Sequence, residues 1–314
     1  MSASAKQWLE RIRALPKQES VKIMNVCGGH ERSITMAGLR KALPDYIELV
    51  PGPGCPVCIC PEEDIFEAIQ LALNEDIILV AFGDMLRVPV NVSKAQARTL
   101  EQARAQGADI RPIASPTEAV SIAIDNPDKP VIFFAAGFET TTAPVAAMMV
   151  EGIPDNLSVL LSGRLTWPAV AMLLESGSPG FDALVAPGHV ATVMGPAAWQ
   201  FVVDKHHIPA AVPGFTPASL LAAIYSTLRQ LHDKRYVLDN CYPELVKPGG
   251  NRSAQKHLDT AMNVYDANWR GVGIIPASGY ALDDKYKDHD ARLLFPSYAD
   301  DARKRAGQMP PGCD

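Results

Sequence analysis

The sequence predicts an α/β protein: two doubly wound, parallel, Rossmann-like sheets facing a central cleft, with a small mixed segment at the C-terminal end. Three observations predict it. Apolar runs such as "VKIMNV", "IILVAFG" and "VIFFAAG" alternate with amphipathic stretches of helical period. The latter two are continuously apolar, as strands covered on both faces are. The chain has 314 residues, 47% of them hydrophobic and 20% charged, which is enough for two cores.

The elements follow in order. Residues 6–15 read as a short amphipathic helix carrying Trp8, Leu9, Ile12 and Leu15, stopped by Pro16. "VKIMNV" is a buried strand that ends in "CGGHE", and a helical pattern runs from about Ser33 to Ala42. "YIELV" is a strand leading into a Pro-Gly loop. "PEEDIFEAIQLALNE" is a helix whose first-turn acids suit its dipole. "IILVAFG" is a strand and "KAQARTLEQARAQG" a helix closed by Gly107. "DIRPIA" is a strand, and "SPTEAVSIAIDN" a helix with Ser115 as N-cap and Pro116 at its first position.

A second series starts after "NPDKP": strands at "VIFFAAG", "LSVLLSG", "ALVAPG" and "AAVPG", with helices at "FETTTAPVAAMMVEG", "PAVAMLLES", "AAWQFVVDKH" and "SLLAAIYSTLRQLHD". Further on, "GNRSAQKHLDTAMNVYD" reads as helix, "WRGVGIIPASGYAL" as extended chain with turns, and "DDARKRAGQMPPGCD" as a polar, weakly ordered end. The expected organisation is an N-terminal helix in 1–19, a first α/β domain in 20–127, a second in 128–235 and a mixed segment in 236–314. No repeat of fixed period is visible.

The formal charge of −6, without a long basic run, argues against nucleic acid as a partner. No apolar run reaches the roughly 18–20 residues of a membrane span. The N-terminus carries charges where a signal peptide needs an apolar core, so a cytoplasmic protein is expected.

The six cysteines are Cys27, Cys55, Cys58, Cys60, Cys241 and Cys313. In a reducing compartment such residues serve redox chemistry or metals more often than they staple a fold. Cys55 and Cys58 form a C-x-x-C in "PGPGCPVCIC", stiffened by Pro53 and Pro56 and turned by Gly52 and Gly54. A helix expected from about Pro61 puts these thiols near amide dipoles that favour a thiolate. The pair suits a dithiol–disulfide couple. Zinc, with Cys27 and His30 as further ligands, and plain structural thiols are the alternatives. Cys60 reads as an incidental small residue and Cys241 as an inert buried thiol.

Cys27 ends a strand, where open α/β sheets bind ligands, and is a soft metal ligand or a nucleophile. Gly28 and Gly29 clear the backbone for close approach. His30 can move a proton or orient a ligand, or be a satisfied turn histidine. Glu31 is a general base or a first-turn helix acid. "GFETTT" offers Gly137, Glu139, Thr140 and Thr141 at a helix N-terminus, for an anion or simply as a threonine cap. "GDMLRVP" puts Asp84 and Arg87 at another strand end and "APGHV" puts His189 at a third. These strand ends are expected to converge on one cleft as a cofactor-binding site. The remaining histidines read as surface residues.

"NVCGGHE", "PGPGCPVC", "FGDMLRVP", "GADIRPIASP", "VIFFAAGFETTTAP", "ALVAPGHV", "VPGFTP" and "WRGVGIIPASG", in this order, resemble the HypD family of hydrogenase formation proteins over roughly residues 20–285. The resemblance implies a cytoplasmic maturation factor for [NiFe] hydrogenases, an assembly scaffold more than a turnover enzyme. With a small HypC-type chaperone it would carry iron while two cyanides and one carbon monoxide are added, as Fe(CN)2CO. Cyanide would come from a HypE-type donor working with HypF, and the product would pass to the hydrogenase large subunit. By position, Cys27 matches the cysteine that holds iron jointly with the chaperone's N-terminal cysteine. Cys55 and Cys58 match the redox pair, and His30 the histidine beside the iron. A thiolate suits the electron-rich iron that these ligands demand.

One departure stands out. The family normally continues into a cysteine-rich segment that binds a [4Fe-4S] cluster, and this sequence stops at "PPGCD" with Cys313 where those cysteines would begin. Such a cluster usually takes four thiolates, so none is expected here. Two other classes remain at this level: a thiol–disulfide oxidoreductase using Cys55 and Cys58, or another metal-binding role, and an anion- or nucleotide-binding enzyme using "GFETTT".

Overall fold

Continuous apolar runs have to be covered on both faces, and in the computed structural model of the chain they form two separate sheets. The structure describes residues 3–17, 19–177 and 179–306. Among them the strands are β1 (Val21–Asn25), β2 (Ile47–Pro51), β3 (Ile78–Phe82), β4 (Ile110–Ile113), β5 (Val131–Gly137) and β6 (Leu157–Arg164), followed by β7 (Ala183–Val185), β8 (Ala210–Pro213), β9 (Leu238–Cys241), β10 (Met262–Trp269) and β11 (Gly273–Leu282). All seven residues of β5 and all eight of β6 are buried, as the unbroken apolar pattern of β5 and most of β6 requires.

The chain forms two compact units, each discontinuous in sequence: Met1–Cys55 with Thr166–Arg252, and Pro56–Leu165 with Ser253–Asp314. This partition differs from boundaries drawn at 127 and 235, which assume that consecutive strands share a sheet. Here β1 pairs in parallel with β7, across more than 150 residues, and Lys22 N–H donates to Asp182 Oδ2 at 2.7 Å beside that junction.

The first unit holds a fully parallel five-stranded sheet ordered β2-β1-β7-β8-β9. Counted within the unit, this is the flavodoxin-like order 2-1-3-4-5, and the order reverses between β1 and β7. One core of this unit joins Ile23 and Val185 to Ile12, Ile34, Leu220 and Ile224. Another joins Val26, Leu184 and Val212 to Val170, Trp199 and Val202.

The second unit orders its strands β10-β11-β6-β5-β3-β4. Strands β3 to β6 are parallel, again in the order 2-1-3-4, with the reversal between β3 and β5. The hairpin β10–β11 adds antiparallel to β6. Thus "MNVYD" is strand, where helical spacing suggested helix. Val264 and Tyr265 favour extended chain, and ladder bonds to β11 satisfy the backbone. The helix expected over 94–107 shrinks to Leu100–Ala105, started by Thr99, whose hydroxyl accepts from Gln102 N–H at 3.0 Å. Helix Pro296–Ala306 occupies the start of the stretch read as weakly ordered; Cys313 lies outside the described residues.

The acids of "PEEDIFE" do more than complement a helix dipole. Helix Glu62–Asn74 buries Glu62, Asp64 and Glu67. Arg270 pairs with Glu62 at 2.7 Å, Arg292 with Asp64 at 2.7 Å and with Glu67 at 3.1 Å, and Arg164 with Asp64 at 3.4 Å. Ser162 Oγ donates to Asp64 at 2.5 Å. Buried charges need such partners, and here the C-terminal stretch supplies Arg270 and Arg292. Burial pushes the Glu67 carboxyl up to about 7, with Arg292 opposing it.

Candidate functional site

The site is built where the strand order of the first unit reverses. β1 ends at Asn25, and Cys27 caps the next helix, Gly28–Met36, with extended φ −159° and ψ 120°. That helix starts five residues earlier than Ser33, so His30 and Glu31 lie in its first turn. The Cys27 side chain is buried and free, in reach of the backbone N–H groups of His30 and Gly29. Burial pushes the thiol pKa up; the two amides pull it back, and Glu31 adds to the rise. A soft cation replacing the proton would remove the desolvation penalty that keeps this sulfur neutral.

The Pro-Gly loop after β2 extends the β1–β2 ladder past its end. Gly52 N–H donates to Asn25 O at 2.8 Å, and Gly28 N–H donates to Gly54 O at 2.9 Å. A Cβ on Gly54 would lie 2.4 Å from Val26 C and 2.5 Å from Cys27 N, so only glycine lets this loop lie flat on the peptide that carries the thiol. The loop thereby brings Cys55 alongside: a Cβ on Gly28 would stand 3.9 Å from both Cα and Cβ of Cys55. Cys55 and Cys58 are both disulfide-bonded, and Cys58 is exposed on a four-residue helix, Pro56–Ile59, ahead of the expected one.

His30 is fully buried. Its Nδ1 lies 3.0 Å from Asn25 Oδ1, while Asn25 Nδ2 donates to Cys27 O at 3.0 Å and to Glu31 Oε1 at 2.8 Å. Glu31 in turn pairs with Arg40 at 2.6 Å. The His30 Nε2 atom is buried beside Gly188, and the Pro213 backbone carbonyl next to the ring favours the protonated imidazole. Burial holds the imidazole down at about 3, and the neighbouring His189 adds to that, so His30 is neutral near pH 7.

Phe215, after β8, packs on both histidines, with ring centroids 3.7 Å from His189 and 4.7 Å from His30. It also closes on the glycines: a Cβ on Gly29 would lie 2.9 Å from the ring and 3.7 Å from Cys27 Sγ. His189, exposed in the helix after β7, has its pKa lowered by desolvation. Cys27, Gly28, Gly29, His30, Cys55 and His189 are therefore gathered at the ends of β1, β2 and β7. Phe215 and Asn25 were missed from sequence alone; their signals were the quoted "VPGFTP" and a polar residue closing an apolar strand.

The other candidates sit at the reversal point of the second unit. Asp84 and Arg87 lie in a 3-10 turn after β3, both exposed, and Arg87 faces Glu101 at 3.7 Å. After β5, Phe138 caps helix Glu139–Glu151, and neither Thr140 nor Thr141 fills that role. Gly137 is needed because Thr141 folds back over it: a Cβ there would meet Thr141 Cβ at 2.3 Å. Glu139 is fully buried. Cys60 is a core residue 3.5 Å from Ser162 Oγ, its thiol pushed up to about 12 by burial. Cys241 is half-buried on edge strand β9, 3.8 Å from Asp239 Oδ2, and is likewise raised to about 12 by burial.

Among the described residues no three His, Cys, Asp or Glu side chains converge closely enough to hold a metal ion by themselves. No helix among them is long and apolar enough to cross a membrane.

The HypD model, described as the hydrogenase formation hypA family, matches residues 3–314. Hydrogenase maturation factor HypD2 of Bradyrhizobium diazoefficiens is 39% identical over 295 residues, 91% of this chain and 76% of that protein. HypD of Azotobacter vinelandii is 37% identical over 306 residues, covering 93% and 79%. HypD of Escherichia coli is 35% identical over 300 residues, covering 93% and 79%. With a family match along nearly its whole length and relatives of this similarity, the chain belongs to the HypD family of hydrogenase maturation factors.

Proposed function

We propose that the chain is a cytoplasmic scaffold on which the iron of a [NiFe] hydrogenase is held while its Fe(CN)2CO group is assembled. The iron is cargo. Cys27 anchors it as thiolate, His30 and His189 stand beside it, and Gly28 and Gly29 let Phe215 and the Pro-Gly loop pack closely around the anchor. Two imidazoles and one thiolate do not by themselves make a closed metal site here, so the remaining donors come from the cargo's own ligands and from a HypC-type chaperone. A HypE-type protein supplies cyanide, and the hydrogenase large subunit receives the product. The Cys55–Cys58 disulfide takes up two electrons and two protons on reduction and returns them on closing, which suits a two-electron store beside the cargo. Asp84, Arg87, Gly137, Glu139, Thr140 and Thr141 are proposed as a second, anion-contacting set on the other unit.

The observation that carries this reading is the free, buried Cys27 thiol at a strand-order reversal, with the C-x-x-C loop laid against its backbone. The test is co-expression with the chaperone, followed by iron analysis and infrared spectroscopy. Bands of iron-bound cyanide and carbon monoxide are expected in the wild type and absent in Cys27→Ala. Equal bands in both would overturn the assignment of Cys27.

The exposed, disulfide-bonded Cys58 favours a second reading, a thiol–disulfide oxidoreductase. It predicts that Cys58→Ser abolishes thiol exchange with a protein partner while Cys27→Ala leaves every function intact.

A further inference from the structure

The two sulfurs of the Cys55–Cys58 bridge stand in different surroundings, and the difference sets the direction in which the bridge opens. Cys58 is exposed, whereas Cys55 is half-buried. The exposed cysteine is also firmly mounted. Ile59, the next residue, is buried, and its carbonyl accepts from Arg270 N–H at 3.0 Å. The Arg270 side chain, 5% exposed, pairs with Glu62 at 2.7 Å and donates to Pro89 O at 2.9 Å. Glu62 also accepts from Asn91 N–H at 2.9 Å. Helix Pro56–Ile59 is thereby fastened at the end that carries Cys58. Cys55 lies instead against Gly28, where a Cβ would be 3.9 Å from both its Cα and its Cβ. Gly28 opens the nine-residue helix Gly28–Met36, whose positive end favours a thiolate over a thiol. Exchange runs fastest when the attacked sulfur is accessible and the departing one is the better-stabilised thiolate. Both conditions select the same direction. Cys60, the free cysteine nearest in sequence, does not open the bridge from inside: it is buried in the core, and burial pushes its thiol up to about 12.

We propose that Cys58 is the entry sulfur for an external dithiol reductant and Cys55 the leaving sulfur. A thiolate of the reductant attacks Cys58 Sγ, the Sγ–Sγ bond breaks, and Cys55 departs with the bonding pair as a thiolate that takes a proton from solvent. The second thiolate of the reductant then attacks the reductant's own sulfur in the mixed disulfide and releases Cys58, which is protonated in turn. One dithiol becomes a disulfide, and the bridge gains two electrons and two protons. The order of attack stands on exposure and surroundings alone. Its purpose rests on the scaffold reading, in which the thiol freed first is the one whose loop lies on the Cys27 peptide.

The test uses the full wild-type chain with the bridge oxidised. The probe is a thioredoxin-type dithiol protein whose resolving cysteine is replaced by serine, so that the mixed disulfide persists. Free thiols are alkylated at once with N-ethylmaleimide, and fragmentation mass spectrometry locates the link. The probe is expected on Cys58 and the label on Cys55, in roughly tenfold or greater excess over the reverse arrangement. Glutathione as the probe is expected to give the same order, which separates the chemistry of the bridge from the docking of one protein. A link at Cys55, equal amounts at both sulfurs, or no mixed disulfide with either probe overturns the proposal. If the link forms at Cys58 but Cys27→Ala loads iron like the wild type, the scaffold reading fails and the order of attack survives. If the link forms at Cys55 while iron loading still depends on Cys27, the scaffold reading survives and the order of attack fails.

Discussion

The two units turn the same strand order into two different strand ends. In each, the second strand lies outside the first and the third pairs on the first strand's other side, so the order reverses between β1 and β7 in one and between β3 and β5 in the other. At the first reversal the chain brings together a free thiol, a buried neutral imidazole and a loop pressed on the thiol's own peptide. At the second, Gly137 is covered by Thr141, and Asp84 and Arg87 are exposed. Topology provides a place, and the residues put there decide whether it does chemistry.

The largest expected effect tests that contrast directly. Cys27→Ala is expected to lower iron loading with the chaperone by roughly 100-fold or more, since removing a ligand exceeds the 10–100-fold cost of disturbing its support. Thr141→Ala is expected to leave loading near the wild-type level. Equal losses, read by iron content and infrared bands, would break the distinction between the two ends.

The glycines sharpen it further. Gly54→Ala collides with backbone, and Gly137→Ala with a side chain. Overpacking of this kind costs about 1–3 kcal/mol, and the Gly54 site belongs at or above the upper end because its obstacle cannot be trimmed. Thr141→Gly is expected to rescue Gly137→Ala in denaturant unfolding, whereas no side-chain truncation rescues Gly54→Ala.

The units also carry opposite pH signatures. His30 is held at about 3, against about 6.5 when unfolded, so the unfolded chain binds more protons between these values. Stability from this residue is complete above pH 6.5 and lost as the pH falls, by up to about 4 kcal/mol at pH 3. Glu67 is held at about 7, above its unfolded value near 4.5, so the folded chain binds more protons in that window. Its contribution declines as the pH rises from 4.5 to 7, by about 2–3 kcal/mol. Unfolding series of His30→Gln and Glu67→Gln are expected to remove the loss on acidification and the decline between pH 4.5 and 7 respectively. The smallest effect is at Arg87: its pair with Glu101 is exposed, and Arg87→Ala is expected to change stability by no more than about 0.5 kcal/mol.

Much of this was legible in the residues. Unbroken apolar runs named the parallel strands, and "CGGHE" after one of them located the thiol and the imidazole at a strand end. Glycine spacing in "PGPGC" signalled close backbone approach. What stayed hidden depends on partners far along the chain. Nothing near Val21–Asn25 says that β7 is its neighbour. "PEEDIFE" looks like a solvated helix start until Arg270 and Arg292 close on it. Asn25 gains its meaning only when its amide and carbonyl are each assigned a partner.

The woven order of the units has a consequence for biosynthesis. β1 and β2 leave the ribosome long before β7, which must lie between β1 and β8, is translated. The first 55 residues have to wait for Thr166 onward, while Pro56–Leu165 already contains four parallel strands of its own unit. Completion of the thiol-bearing unit is thus a late event, and the strand end that carries Cys27 is assembled only after most of the polypeptide exists.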